Sequence, residues 1–545
     1  MGGAHREQHD LIIVGAGAAG CVLSARLSED PATRVLLLEA GTAKAPLASR
    51  VPAAYSRLFK SRHDWDYQTQ PEHALGGRQL YIPRGKLLGG SSAMNAMIYI
   101  RGNPLDYAEW VTAGAEGWGY ADVLPYFLRS EDQARGPGVE HGVGGPLRIE
   151  DARSVNPLSE AFVAACGERG IPHNPDFNGP SQGGAGYYQL NQRNGRRWSA
   201  ADGYLFPAMQ RRNLTLHRGA QALALRLEGN RAVGVDYVSR GQLRSAYASE
   251  IVLCAGAIGS PQLLLLSGVG PARELAQLGI AVQVDLPGVG ANLQDHPIAG
   301  VAYRCRHPVS LLNAESFGAM LQYLFTRSGP LSSNVAEAGA FVRSPGARTA
   351  PDIQYHFAPT FFIDNGFVAP PGHGFSIGPT LVAPVSRGRL ALASRDPLAP
   401  PLIFGQHLSE PADLAAMRWG IELAREIAAA PPFDAYRAEE CWPGSNVHGT
   451  TALEQHVKDT MTLLYHPCGT CRMGKDALSV VDPQLRVHGV EGLRVADASV
   501  MPSITRGNTQ APTVMIAERL ASWLQPGAPR PAEAGHSLAR HASLG

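Results

Sequence analysis

Residues 10–41 read DLIIVGAGAAGCVLSARLSEDPATRVLLLEAG, and this stretch decides the fold class. Leu11–Val14 is a short continuous apolar run, the pattern of a parallel strand buried on both faces. Gly15, Gly17 and Gly20 follow at GxGxxG spacing, then a helical pattern through Leu27, a turn at Asp30 and Pro31, and a second apolar run, Val35 to Leu38. Glu39 closes that strand. In such a unit the first glycine makes the tight turn, the second admits a pyrophosphate, and the third lets the helix pack close to the strand. The helix N-terminus presents free N–H groups to the phosphates. Glu39 is placed to accept from ribose hydroxyls and to repel a 2′-phosphate, which argues against NADP. The expectation is an α/β, Rossmann-like dinucleotide site, with the identity of the dinucleotide left open.

At 545 residues the chain exceeds one core, so two or more domains are expected. A net charge of +1 with 17% charged residues gives no sign of an electrostatic partner such as nucleic acid, the formal alternative being a local basic patch, of which the only dense one, Arg193 to Arg197, is short. Seven cysteines without regular spacing do not form a disulfide framework. Cys468 and Cys471 make one CxxC, but without a second pair or a nearby His pair a zinc site is not expected, and no metal site is assigned. No run is apolar for long enough to span a bilayer. The first strand starts too early to leave room for a signal peptide. A cytoplasmic protein is expected, with peripheral attachment to a membrane left open.

Further along, Arg84–Gly102 reads RGKLLGGSSAMNAMIYIRG, where Gly89 and Gly90 precede an apolar helix or turn, a second place to cradle an anion. Residues 106–129 read as a helix with Trp110, Leu124, Tyr126 and Phe127 in the core. Residues 214–238 read as a β-meander turning at 228–230. A strand over 251–255 runs through Gly256 and Gly259 into a helix, with Ser260 before Pro261 as its capping arrangement. The loop PGVGANLQDH, 287–296, carries Asn292, Asp295 and His296. From about 301 to 465 strand-like runs mix with one clear helix, 412–429, as in a second domain on an antiparallel sheet. A strand over 493–496 ends in Asp497, and Asn508 reads as the N-cap of a last helix over 508–523. Among 18 histidines, His466 in LYHPCGTCRMG stands out because Pro467 ends any helix and its neighbours are small.

Four stretches together resemble the glucose–methanol–choline (GMC) flavoprotein oxidoreductases, and are similar to their bacterial choline-dehydrogenase-like branch: residues 10–41, residues 84–102, GAIGSPQLLLLSGVGP at 256–271, and HPCGTCRMG at 466–474 with GLRVADASVMPSITRGNTQAPTVMIAERLA at 492–521. The resemblance implies FAD, oxidation of an alcohol CH–OH group by hydride transfer to flavin N5, and dehydrogenase in preference to oxidase activity. It implies that Gly15, Gly17, Gly20 and Glu39 bind the ADP half, and that Gly89, Gly90, Ser91, Ser92 and Asn95 lie along the pyrophosphate and flavin. Asp497, Ala498 and Asn508 then cover the ribityl and ring end. The family's active-site pair is His with His or His with Asn, and His466 and Asn508 take those places. Some members attach FAD through a His in the GGSS region; Met94 stands there, and a thioether does not form that link, so FAD is expected to be non-covalent.

The implied organisation is an FAD domain of residues 8–155, 195–300 and 466–525, a substrate domain of 156–194 and 301–465, and a disordered tail, 526–545. Partners are a small alcohol and an electron acceptor, whether quinone, another carrier or oxygen; oligomeric state is not readable. The CxxC falls inside the family's His-containing segment, which favours a structural or adventitious pair over a redox centre. Tyr465, Trp65, Phe357, Phe361, Phe362 and Asp364 are candidates for a cage around a substrate cation, and equally for an apolar alcohol site, with His356 as a further candidate lining residue. Two alternatives remain from the residues: an NAD-linked dehydrogenase, suggested by the first motif alone, and a flavoprotein of this fold with a non-alcohol reaction or a binding or sensing role.

Overall fold

The two apolar runs flanking the glycine turn form the centre of a parallel sheet in the computed structural model, which describes residues 8–42, 45–368 and 371–525. Gln8–Val14 lies between Val35–Glu39 and the second half of Gln242–Leu253, parallel to both. Leu214–Arg218 and Leu493–Val495 extend it to five parallel strands. Ile12, Ile13 and Val35 to Leu37 have no exposed surface, which is why these runs are continuously apolar rather than alternating. Helix Ala18–Leu27 packs against the last helix, Gln510–Leu524. Buried Glu518 ties the pair, accepting from Arg26 at 2.8 Å and from the Tyr204 hydroxyl at 2.6 Å. The glycine turn and the C-terminal segment are thereby fixed to each other.

Three local expectations are corrected. Leu214–Arg218 is not part of a meander: it pairs in parallel with Val35–Glu39, and the antiparallel hairpins belong to Ala220–Glu228, Arg231–Ser239 and Gln242–Leu253. Gly219, at φ +63°, makes the break between the two roles. Residues 106–129 form two helices, Pro104–Thr112 and Tyr120–Ser130, separated by a stretch holding Gly114, Gly117 and Gly119; Trp110 and Phe127 are buried, while Leu124 and Tyr126 are only half-buried. The helix after Gly256 begins there and not at Ser260. The Ser260 hydroxyl donates to Asp497 at 2.6 Å instead of capping the helix.

The second sheet is antiparallel, in the order Arg437–Trp442, Val301–Cys305, Gly374–Leu381, Ile353–Ala358, Ala338–Val342, Gly184–Tyr187. Pro297–Ile298 and Thr462–Leu463 pair beside Gly374–Leu381. The helix Pro411–Ala428 packs on this sheet, with the Tyr355 hydroxyl donating to Gly420 O at 2.8 Å. Strand period places Tyr355 and Phe357 toward that helix and Gln354 and His356 on the opposite face. The tail 526–545 lies outside the described residues.

Candidate active site

A cavity of about 990 Å³ runs from the glycine turn to the second sheet, with Gly15, Gly17 and Glu39 in its wall at one end and Tyr465, His466 and Asn508 at the other. That volume is at the upper end of the range for small-molecule and cofactor sites.

At the first end the structure separates the glycines by role. Gly15, at φ +101°, approaches so closely that a Cβ there would lie 2.5 Å from Cys254 O. Gly17 opens the helix Ala18–Leu27 without a side-chain cap, so the unsatisfied N–H groups of the first turn face the cavity. Gly20 is not in the cavity wall; a Cβ on it would sit 1.9 Å from Gly15 O, so its smallness serves helix–turn packing. Gly89 is also outside the wall and donates its N–H to Ala16 O at 2.8 Å. Gly90 is in the wall, its backbone against Gly17 so that a Cβ would lie 2.7 Å from Gly17 Cα.

Glu39 accepts from Ala16 N at 2.9 Å and Gly41 N at 2.7 Å, and burial pushes its carboxyl up to about 7. Ser91 Oγ accepts from Gly85 N, and Ser92 Oγ donates to Gly89 O at 2.6 Å; both line the cavity. Asn95 is held by Arg197 at 2.7 Å and by Gln510 of the last helix. Asp497 gathers Gly256 N, Ser260 Oγ and Ser499 N on its carboxylate and lines the cavity beside Ala498. Two touching glycine turns, an uncapped helix N-terminus and a buried acid fit an adenine dinucleotide cofactor.

At the other end, loop 292–298 zips against residues 462–468: Leu464 N donates to His296 O and Cys468 N to Gln294 O. Asp295 Oδ1 accepts from His296 N at 2.8 Å and from His466 N at 2.7 Å, setting both backbones. The two rings meet edge to face with Nδ1 to Nδ1 at 3.0 Å. Asn508 Nδ2 lies 3.3 Å from His466 Nε2. Asn508 is not an N-cap: the last helix starts at Gln510 behind Thr509, which leaves the Asn508 amide to the cavity. Gln354 Nε2 donates to Asn508 Oδ1 at 3.4 Å and to the Tyr188 hydroxyl at 3.0 Å. His356 lines the cavity with its Nδ1 on Thr380 Oγ1 at 3.0 Å.

These contacts fix a tautomer. With its oxygen toward Gln354, Asn508 presents N–H to His466 Nε2, which must then be the unprotonated nitrogen. His466 carries its proton on Nδ1 and donates it to His296 Nδ1. Burial, with His296, His356 and Arg84 nearby, holds His466 well below the ordinary 6.5. Burial also takes His296 and His356 down to about 3. The cluster is therefore neutral near pH 7, with the unprotonated Nε2 of His466 accepting from Asn508 at the cavity wall.

The proposed cage divides. Trp65, Phe362, Asp364 and Tyr465 line the cavity, whereas Phe357 and Phe361 do not. Phe357 stacks on Phe162 at 4.8 Å, on the helix side of its strand. Met94 is buried in the cavity wall. Cys468 and Cys471 are free, fully buried, and pushed up by burial, which opposes thiolate chemistry. Among the described residues no cluster of His, Cys, Asp and Glu is arranged to hold a metal, and no helix is long and apolar enough to cross a membrane. His296, Asp295 and Gln354 had no role assigned from the sequence. The one signal for the first two was the presence of three polar, chemistry-bearing residues in the 287–296 loop.

A dinucleotide cradle joined by one cavity to a neutral His–Asn pair defines a cofactor-dependent oxidoreductase. Two family profiles, both described as GMC oxidoreductase, match residues 9–298 and 384–517, and the chain belongs to that family. It is 43% identical over 525 residues to an alcohol dehydrogenase [acceptor] of Pseudomonas putida, covering 94% of this chain and 95% of that protein. It is 42% identical over 539 residues to the mitochondrial choline dehydrogenase of Homo sapiens, covering 96% and 91%. Among solved structures, a formate oxidase of Aspergillus oryzae, described for the effect of a mutation on FAD modification, superposes with a TM-score of 0.90 at 27% identity, covering 95% of this chain and 98% of that one. The fold is that of the GMC oxidoreductases, and the relatives support an alcohol-oxidising enzyme with a flavin cofactor.

Proposed function

We propose that the protein oxidises an alcohol CH–OH group to the aldehyde or ketone, with FAD held non-covalently and His466 as the base. The observation that carries this reading is the bond sequence Gln354 to Asn508 to His466 to His296, which leaves His466 Nε2 as an acceptor at the cavity wall. FAD, when bound, supplies the hydride acceptor at flavin N5. Gly15, Gly17 and Glu39 would hold its ADP half, Gly90, Ser91 and Ser92 its middle, and Ala498 and Asn508 its ring end. His466 Nε2 takes the alcohol proton as hydride leaves carbon, since an alcohol releases hydride only with that help. Asn508 holds the substrate oxygen by donation without competing for the proton. His296, neutral and bonded through Nδ1, keeps the His466 proton on Nδ1, so Nε2 accepts from the substrate hydroxyl once that hydroxyl displaces the Asn508 N–H. We assign residues 8–155, 195–300 and 466–525 to cofactor binding and 156–194 with 301–465 to substrate.

The test is anaerobic titration of the purified enzyme with a panel of alcohols, followed by reoxidation. Bleaching of the flavin bands by an alcohol supports the reading, and reoxidation faster by quinone than by oxygen supports the dehydrogenase assignment, as the names of the two relatives suggest. A spectrum without flavin bands would favour the NAD-linked alternative. Flavin that no alcohol bleaches would favour another reaction or a sensing role.

Two further outcomes follow from the site. Because the only histidines in the cavity wall among the described residues are His356 and His466, and Met94 occupies the GGSS region, acid precipitation is expected to leave all the flavin in the supernatant. Yellow colour retained in the pellet would contradict non-covalent binding. Because His466 is held below 6.5, kcat/KM is expected to stay level as pH falls through 6.5, with its acid limb well below that value. A pH profile with an acid limb at or above 6.5 would show that the burial and the three neighbouring groups do not govern the base.

A further inference from the structure

The helix Phe317–Thr326 turns its apolar stripe outward. Phe317, Met320, Leu321, Leu324 and Phe325 follow i, i+3, i+4, i+7, i+8 spacing, and all are exposed, Phe317 by 74% and Phe325 by 79%. Its buried side chains are only Ala319 and Tyr323. Surface helices ordinarily bury such a stripe. No charge falls between Glu315 and Arg327. The helix is also held at both ends: Glu315 pairs with Arg57, and the Tyr323 hydroxyl donates to Gly195 O at 3.0 Å.

Beside its C-terminal end is a cleft of about 420 Å³ lined by Arg50, Arg193, Arg196, Arg197 and Arg327, with Asp202 the one carboxylate in its wall. Asp202 is itself bonded to Ser199 through both N and Oγ. Leu47, 75% exposed, precedes Arg50 on the same turn-rich segment. In a chain of net charge +1, this gathers positive charge beside a solvent-facing apolar stripe.

We propose that this face docks on an anionic lipid bilayer, with Phe317–Thr326 lying in the interfacial plane and Arg50, Arg193, Arg196 and Arg327 on lipid headgroups, while buried Arg197 stays on Asn95. An amphipathic helix with arginines at its edge is the arrangement that binds such a surface. Arginine stems reach along apolar surface while their heads stay in the polar layer. Charge favours an anionic surface over a second copy as the occupant, because a second copy would present the same positive cluster rather than a complementary one. Docking also seats the cavity near lipid: Pro52–Leu58, whose Arg57 holds the helix, contributes Tyr55 to the cavity wall, and Phe59, which follows, meets the exposed ring of Phe367. The docking claim does not depend on which reaction the cavity supports.

The experiment is vesicle flotation of the flavin-loaded enzyme. Binding is expected to vesicles of equal parts phosphatidylcholine and phosphatidylglycerol, with weaker binding to phosphatidylcholine alone. Leu324→Glu with Phe325→Glu is expected to weaken partitioning by about tenfold or more, and Arg193→Glu with Arg196→Glu to abolish the preference for anionic vesicles. Neither pair lines the cavity, so flavin content and turnover with a water-soluble acceptor should be unchanged. Phe317→Ser with Met320→Ser is the second variant if the first pair fails to fold. Absence of flotation, or equal flotation by wild type and variants, would overturn the proposal. So would a lipid-free dimer that the same substitutions dissociate while no vesicle binding is seen, since a second copy would then cover the helix.

Discussion

Replacing His466 with alanine is expected to leave FAD bound while lowering kcat/KM for alcohols by about 10²–10⁴-fold, the usual worth of a positioned base. Of the residues proposed to hold the cofactor, the glycine turn, the 90–95 segment and Asp497 make no bond to the imidazole, and only Asn508 does. What the imidazole does contact is Asn508 through Nε2 and His296 through Nδ1. His296 is not positioned to substitute, because it stands behind His466 and outside the cavity wall. His356 is in the wall, but it lacks the Asn508 contact that His466 has, its Nδ1 being on Thr380. Flavin absorbance per protein and steady-state rates on the best alcohol measure the two halves separately. Wild-type-like turnover in this variant would sink His466 as the base, and loss of flavin together with activity would assign it to structure instead.

The cofactor end was legible because its logic is local. From Asp10 to Glu39 the strand, glycine turn, helix and acid follow each other directly, so spacing alone carries the geometry. The motif's spacing also separates the two later glycines: its third position is the one that packs helix against turn, and Gly20 lies against the Gly15 carbonyl while Gly17 is in the cavity wall. The chemical end was legible only through family resemblance, because its partners lie far apart in the chain. His296 and His466 are 170 residues apart and meet through the pairing of two irregular segments, which no periodicity announces. Asn508 reads as an N-cap because an Asn two residues ahead of a helix looks the same as its cap, whereas the helix starts at Gln510 behind Thr509. Phe357 is a cage candidate by composition alone. It is one residue from His356 on the same strand, so the two necessarily face opposite sides.

The difference between Gly17 and Gly20 sets up the second large effect. Gly20→Ala is expected to release FAD and destabilise the protein together. The added methyl would sit 1.9 Å from Gly15 O and 3.0 Å from Gly15 C, both backbone atoms that cannot rotate away. Relief requires helix Ala18–Leu27 to move off the turn, yet that helix is held on its far side by the Arg26–Glu518 pair and the last helix. Overpacking of this kind costs about 1–3 kcal/mol, and any shift also misplaces the first-turn N–H groups that face the cavity. Gly17→Ala has the opposite character. Gly17 has φ −73° and ψ −165°, an extended backbone open to alanine, and the nearest atom to its Cβ is Cys254 O at 3.9 Å. The protein therefore accepts that methyl, which projects into the cavity where the pyrophosphate is expected. The expected result is a melting temperature for the apo protein close to wild type, with flavin affinity reduced. Thermal melts of apo protein, paired with FAD titration, separate the two variants. Equal melting of apo Gly20→Ala and wild type would mean the close helix–turn contact is not needed for stability, and undiminished FAD binding by Gly17→Ala would move the pyrophosphate away from this helix.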